Sequence, residues 1–481
     1  MEQKKKELLG EGKCGAEVGF TVEKDGDRVI LTVSGRGEMT DWIENTEAPF
    51  YPYRDTVTDI VIGDGVTSMG NYAFRGFSEL ERVTIAGSVI YCGACDFDMC
   101  PKLVSLTLNE GTEVIGPKCF EKCTALTSVA FPSTLRAIDF KAFRTCDALT
   151  DISYNGTARE WKDNVRISMS SLGNAPIVNA EIKFNPLSKK YLEMTEKLAK
   201  VVADGGDGRL YIASPDLTVP GVKEKSGDTT LIIFPDGETM LIDCGVPSSG
   251  GHMMDFIKAV GLRKLDYFVL SHPHADHLGS WKVVSEYFCE TTGGGIGKYL
   301  YSGFEYKIAE GKFSKYLSEH GTEMHRDVRA GDKMNIGGVD ITFYNPDAAA
   351  LDPDSFEDKD VNNVSIAMHF VYGDSTFLTA GDLFAKHERT LVARYGEKMR
   401  SDIMKCNHHG CFTSNSDVWL DAVQPKIMYS PCDDVVCTKL EEKFARRGIK
   451  VYKVSDYGLT VISMGKNADY TVDTEYSGEK K

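Results

Sequence analysis

The sequence predicts a multi-domain chain: a β-rich solenoid followed by a large α/β sandwich. Three observations carry this reading. Phe74, Phe97, Phe120 and Phe143 recur at a fixed 23-residue spacing in the first half. The second half reads as short apolar strands, several ending in a carboxylate or a histidine. Between the halves, an amphipathic stretch runs into the breaker segment Asp204–Gly208 (DGGDG). A length of 481 residues suits two large domains or a few smaller ones, at roughly 150 residues each.

The repeat can be read position by position. Three residues after each Phe stand Phe77, Cys100, Cys123 and Cys146, and three further on stand Leu80, Leu103, Leu126 and Leu149. An alternating pair follows: Val83/Ile85, Leu106/Leu108, Val129/Phe131 and Ile152/Tyr154, with Ile60/Ile62 supplying an earlier one. Each unit is therefore a short strand plus a turn that buries the Phe. One unit cannot bury its own apolar face, so the units must stack. Cys100, Cys123 and Cys146 share one repeat position and read as a ladder of small buried residues. Cys92 and Cys95 lack a second pair at zinc spacing, so a metal there is not expected. The pattern resembles the BspA type of bacterial leucine-rich repeat, on Val66–Phe74 (VTSMGNYAF) and Ser78–Ile85 (SELERVTI). The resemblance implies a repeat domain over 12–184. Its β cap spans Cys14–Asp41 and turns at Asp25-Gly26; its C-terminal cap spans Ile152–Phe184. The domain holds no His, which points to scaffold or binding work and away from catalysis.

Residues 185–207 read as a helical linker, with a start at Pro186-Leu187-Ser188 and an amphipathic helix over Lys189–Ala203. Beyond it, Leu231–Asp243 reads as a hairpin turning at Pro235-Asp236-Gly237. Leu265–Leu270 is a buried strand, followed by His272-Pro273-His274-Ala275-Asp276-His277. Three imidazoles and a carboxylate in six positions are notable in a chain with 10 His. In an extended loop, residues two apart point the same way. His272 and His274 can then reach one cation, and Asp276 and His277 a second. Imidazole with carboxylate suits zinc, manganese or iron and not calcium. Further strands end in Asp243, in Asp382 and before Asn407-His408-His409-Gly410. Strand ends converging on one rim are a rigid way to position a metal site.

The set His272-x-His274-x-Asp276-His277 resembles the signature of metallo-β-lactamase-fold hydrolases. The wider pattern is similar to the hydrolase domain of the competence protein ComEC, on MLIDCG (240–245), SHPHADHLG (271–279), NNVSI (362–366), FLTAGD (377–382) and His408-His409-Gly410. It implies an αββα metallo-β-lactamase fold over 208–465, with a polar tail over 466–481. It also implies a site of two divalent ions, Zn or Mn. His272 and His274 would hold one ion. Asp276 and His277 would hold the other, joined by His408, with His409 as the alternative, and Asp382 would bridge the two. Asp243 and Asn363 would be outer groups orienting the ligands. Two departures stand out. The additional His common in the superfamily between the hexapeptide and the bridging Asp is unassigned among His320, His325 and His369. Where relatives carry Asn and His after the strand Ile427–Ser430, this chain has Pro431-Cys432-Asp433-Asp434.

The expected function is dinuclear metal-dependent hydrolysis of a phosphodiester, on a small molecule or a nucleic acid, with Asp276 and Asp382 closest to the chemistry. Paired cations acidify a bridging water and stabilise charge on the attacked group. The alternatives are an ester, lactone or amide hydrolase on the same metals, or a repeat-based binding protein whose metal domain has decayed. The repeats would take a protein or surface ligand. No Gly-x-Ser-x-Gly elbow, Walker loop or dinucleotide fingerprint competes with this reading. Net charge of −16, with a pI near 5.2, argues against broad nucleic-acid affinity but leaves room for a local basic groove. An odd 13 Cys is no disulfide framework. No apolar run is long enough to span a bilayer. Met1–Glu7 is basic without an apolar segment, so the expectation is cytoplasmic as given, or secreted or cell-surface if a leader is missing.

Overall fold

The computed structural model describes residues 6–168, 173–185, 187–219, 226–305, 307–347, 351, 358–432 and 438–478. Met1–Lys5, Pro186, Asp433 and Asp434, all of which enter the sequence reading, lie outside them. The chain divides into two compact units, Met1–Lys189 and Lys190–Lys481.

The first unit is the solenoid. Its nine-stranded sheet begins with the antiparallel strands Glu7–Lys13, Val18–Asp25 and Arg28–Gly35 and continues in parallel through Asp59–Ile62, Arg82–Ile85, Ser105–Leu108, Ser128–Phe131, Asp151–Tyr154 and Ile182–Phe184. Each rung advances by one period, so Val83 pairs with Leu106 and Val129 with Ile152. A second ladder of very short parallel strands, among them Tyr91–Cys92 and Val114–Ile115, closes each coil. Phe50, Phe74, Phe97, Phe120 and Phe143 stack ring on ring, with centroids 4.8 to 5.3 Å apart. Phe50 is a rung the strict period did not reveal. Each ladder cysteine donates its thiol to the carbonyl of the Phe 26 residues earlier: Cys100 to Phe74, Cys123 to Phe97 and Cys146 to Phe120. At the cap, buried Asp59 accepts from Arg28, Arg82 and Thr58 at 2.5 to 3.1 Å.

The second unit is an αββα sandwich. One eight-stranded sheet runs in the order Glu323–His325, Ile296–Leu300, Leu265–Val269, Thr239–Ile242, Thr230–Ile233, Leu210–Ser214, Thr460–Met464, Tyr470–Thr474. The facing seven-stranded sheet runs Lys333–Ile336, Val339–Asn345, Ala367–Tyr372, Ser375–Thr379, Ile403–Lys405, Ile427–Ser430, Lys450–Lys453. The core between them joins Ile212, Ile232, Met240 and Val269 to Phe343, Phe370, Phe377 and Tyr429. Outside the second sheet, Leu391, Trp419 and Phe444 pack from helices onto Leu378, Met404 and Met428. Outside the first, Phe313 of the helix Lys307–Glu319 meets Phe268 at 5.0 Å. Central strands covered on both faces explain the near-continuous apolar runs.

Two segments differ from the sequence reading. The helix Lys189–Ala203 forms where expected and buries Tyr191, Met194, Leu198 and Val201. It is not a bare linker, because all but its first residue count with the second unit. The segment read as a polar tail carries the edge strand Tyr470–Thr474, antiparallel to Thr460–Met464. Its Tyr470 and Val472 pack on the core, so two apolar side chains at period two were enough to recruit it.

Candidate metal centre

The strands of the two sheets aim five segments at one rim. Thr239–Ile242 ends in Asp243, and Leu265–Val269 leads into Ser271 and His272. Ser375–Thr379 leads to Asp382, and Ile403–Lys405 leads to His408 and His409. Thr230–Ile233 runs antiparallel to its neighbour, so its start delivers Asp228 to the same edge. At Gly381 (φ +53°) the chain turns so tightly that a Cβ would lie 2.7 Å from Ser365 Oγ, which itself accepts from Asp382 N at 3.1 Å.

The side chains converge on one oxygen. Asp382 Oδ2 lies 3.1 Å from His409 Nε2, 3.2 Å from His277 Nε2, 3.9 Å from His408 Nε2 and 4.0 Å from His272 Nε2. His272 Nε2 and His274 Nδ1 are 3.0 Å apart, as the alternation of an extended loop requires. Asp276 Oδ2 sits 3.2 Å from His409 Nε2, and Asp276 Oδ1 lies 4.0 Å from His277 Nε2. His408 and His409 adopt consecutive left-handed conformations, φ +50° and +56°. That is costly for residues with a Cβ and is sustained only when the surroundings dictate it. Here buried Glu388 accepts from Asn407 Nδ2, Asn415 N and Ser416 N at 2.7 to 2.8 Å and pins both sides of the loop. His409 is fully buried and aimed at Asp276 and Asp382; His408 is partly exposed, and its Nδ1 meets Thr413 Oγ1 at 2.7 Å. The geometry therefore favours the alternative, His409, over His408 for the Asp276–His277 side.

Behind these side chains lies an outer layer. Asp243, in a left-handed conformation (φ +61°), meets His277 Nδ1 at 2.7 Å and accepts from Ser271 N and Oγ at 2.8 and 2.6 Å. This fixes the ring so that Nε2 faces the rim. Asn363 contributes its backbone carbonyl to Asn345 Nδ2 at 2.8 Å. Two residues were missed by the sequence reading. Asp228 lies 3.7 Å from His409 Nδ1 and 3.8 Å from His277 Nδ1. Buried Lys405 lies 2.5 Å from Asp228 Oδ2 and donates to Gly381 O at 3.2 Å. The legible signal was a carboxylate just before a strand for Asp228. Lys405 was the one charge in the otherwise apolar buried strand Ile403–Lys405. His320 donates to Tyr316 O, His325 pairs with Asp327, and His369 donates to Arg400 O, so none of the three joins the rim.

The electrostatics suit cations. Burial drives His272 toward the neutral, ligating form, reinforced by His277. Burial alone would raise the Asp276 carboxyl, but His277 and His409 hold it well below the usual range. Burial disfavours charge on His409, yet Asp382 and Asp276 push it up to about 9. Four carboxylates thus draw positive charge into a largely buried site. Buried His277 Nε2 and Asp382 Oδ1 have no directed hydrogen bond among the described residues, although His277 Nε2 is 3.2 Å from Asp382 Oδ2. Close approach without hydrogen-bond direction is the pattern of donors arranged around a metal. One donor atom of each of Asp228, His277, Asp382 and His409 lies within 4.8 Å of every other. The residues present fit divalent ions with N/O ligands.

Comparison with known proteins agrees with this architecture. Residues 47–171 match the BspA type leucine rich repeat region in six copies, and residues 222–429 match the metallo-beta-lactamase superfamily. The competence protein ComA of Neisseria gonorrhoeae is 28% identical over 233 residues, covering 47% of this chain and 29% of that protein. ComE operon protein 3 of Bacillus subtilis (strain 168) is 23% identical over 174 residues, covering 36% of this chain and 21% of that one. The chain therefore spans less than a third of the length of either relative. Among solved structures, the metallo-beta-lactamase fold protein YhfI from Bacillus subtilis is 14% identical with a TM-score of 0.35, over 53% of this chain and all of that one. A leucine-rich repeat protein from Eubacterium ventriosum is 17% identical with a TM-score of 0.24, over 33% and 44%. No helix among the described residues is long and apolar enough to cross a membrane. One chain thus carries a region matching BspA-type leucine-rich repeats followed by a region matching the metallo-β-lactamase superfamily.

Proposed function

We propose that the second unit is a phosphodiesterase working with two divalent ions, Zn or Mn. His272, His274 and Asp382 would hold one ion, and Asp276, His277, His409 and Asp382 the other. The observation that carries this reading is the convergence of four imidazole nitrogens within 4.0 Å of Asp382 Oδ2. When bound, such ions acidify a water and stabilise negative charge on the attacked group. The chain's own residues do the rest. Asp243 and Ser271 hold the His277 ring, and Lys405 pairs with Asp228 beneath His409. His272, His277, Asp382 and His409 are buried, while Asp276 keeps 30% of its side chain exposed and leaves the rim open on that side. The phosphodiester preference is supported by the similarity of the motif set to competence-protein hydrolase domains. The solenoid, with no His and a continuous parallel sheet, would serve as a recognition or scaffold module for a protein or surface ligand.

The test is elemental analysis of gently purified protein, followed by turnover of bis(4-nitrophenyl) phosphate after loading with Zn or Mn. A 4-nitrophenyl ester and a simple lactone are run beside it. Turnover of these but not the diester would move the assignment to ester or lactone hydrolysis on the same ions. Failure to take up stoichiometric metal would leave the binding-protein reading.

A further inference from the structure

The geometry points to a subsite beside the metal rim, built for a nucleotide that flanks the scissile phosphodiester. It rests on the phosphodiesterase reading. The site is a cavity of about 590 Å³ lined by Arg389, Phe412, Ser416, Asp417, Lys443 and Arg446, among others.

Continuity with the rim comes first. Thr413 sits between Phe412 and Ser414, both of which line the cavity. Its hydroxyl meets His408 Nδ1 at 2.7 Å, and its carbonyl accepts from Ala385 N at 2.9 Å. The Phe384 ring lies 5.3 Å from the His408 ring. One thin wall, Phe384-Ala385 against Phe412-Thr413, thus separates the cavity from the His408–His409 turn. The buried Glu388 clamp makes that wall rigid.

Charge comes second. Asp417 is the one acid in the lining, and it is engaged by Arg447 at 2.6 Å and Lys443 at 3.4 Å. Arg389 and Arg446 are exposed and have no acidic partner among the described residues. A concave surface with two exposed guanidiniums is a local reversal in a chain of net charge −16. Guanidinium forks match phosphate geometry.

The ring comes third. Phe412 is 80% exposed, at the mouth of this cationic groove. An exposed aromatic beside phosphate-binding cations is the pairing that holds a base and its phosphate together. The groove therefore fits a flat ring plus a phosphate other than the reacting one.

The test uses the full chain loaded with Zn or Mn and two substrates: hexathymidylate and bis(4-nitrophenyl) phosphate, which lacks any extension. Variants are Phe412→Ala and the pair Arg389→Glu with Arg446→Glu, all on the surface. Each should raise KM for hexathymidylate relative to KM for the small diester by on the order of tenfold. The arginine pair should also lower the salt dependence of hexathymidylate binding by about two in slope, read by fluorescence anisotropy. Equal effects on both substrates, or none on hexathymidylate, overturn the subsite. So does an abasic phosphate oligomer that binds wild type as tightly as hexathymidylate. Absence of turnover on either substrate speaks to the phosphodiesterase reading, while anisotropy still reads the groove.

Discussion

Lys405 Nζ lies 2.5 Å from Asp228 Oδ2, and neither side chain reaches solvent. Breaking such a pair from one side strands a buried charge, which costs about 3–5 kcal/mol. Lys405→Met is therefore expected to lower the stability of the second unit by that order. Lys405→Met combined with Asp228→Asn should cost less than the two singles added. A double-mutant cycle by urea unfolding measures the coupling, and simple additivity would show that the two groups do not sense one another.

Asp382 meets both halves of the rim, so Asp382→Ala should abolish the binding of both ions and lower turnover by several orders of magnitude. His409→Ala should lose one ion and His408→Ala should retain both. Metal stoichiometry by elemental analysis, with circular dichroism as the folding control, distinguishes them. Equal tolerance of His408→Ala and His409→Ala would detach that turn from the site.

The pH response of the solenoid should trace to Asp59. Burial raises a carboxyl, but the bonds from Arg28, Arg82 and Thr58 outweigh it and hold Asp59 well below its ordinary value. The folded value lies below the unfolded one, near 3.9. The stabilisation is therefore complete above that value and is lost as pH falls toward the folded value. Calorimetry of the full chain should show the repeat transition falling in temperature on acidification below about pH 4. Asp59→Asn should start lower at neutral pH and slope less in that window. A variant that keeps the wild-type slope would place the acid sensitivity elsewhere.

The helix Lys189–Ala203 buries four apolar side chains in the second unit's territory. A fragment beginning at Asn185 should fold and retain turnover on a small diester. One beginning at Gly208 loses that buried area and should melt several degrees lower or aggregate. Identical melting of the two fragments would return the helix to the status of a tether.

The solenoid was legible because its physics is periodic: a Phe, a Cys and a Leu at fixed offsets state which atoms stack on which. The two sheets were legible from apolar runs bounded by turns, and the hexapeptide from its density of ligands. What escaped was long-range. Asp228 reaches the rim only because its strand runs antiparallel to the one ending in Asp243, a fact of sheet order rather than of local sequence. Lys405 looks like an interruption in an apolar strand until Asp228 is placed opposite it. Where the His408 and His409 side chains point depends on two left-handed residues, which no helix or strand period encodes.

The cysteine ladder has a practical consequence. Burial pushes the Cys100 and Cys146 thiols up to about 12, and the Cys123 thiol is raised as well. A thiol held that far from ionisation is a poor nucleophile and a poor target for oxidants. The stack is thus chemically silent while closed and becomes reactive only when a coil opens. Alkylation of these three positions is a native clock for the breathing of the repeat array, readable by mass spectrometry without any added label.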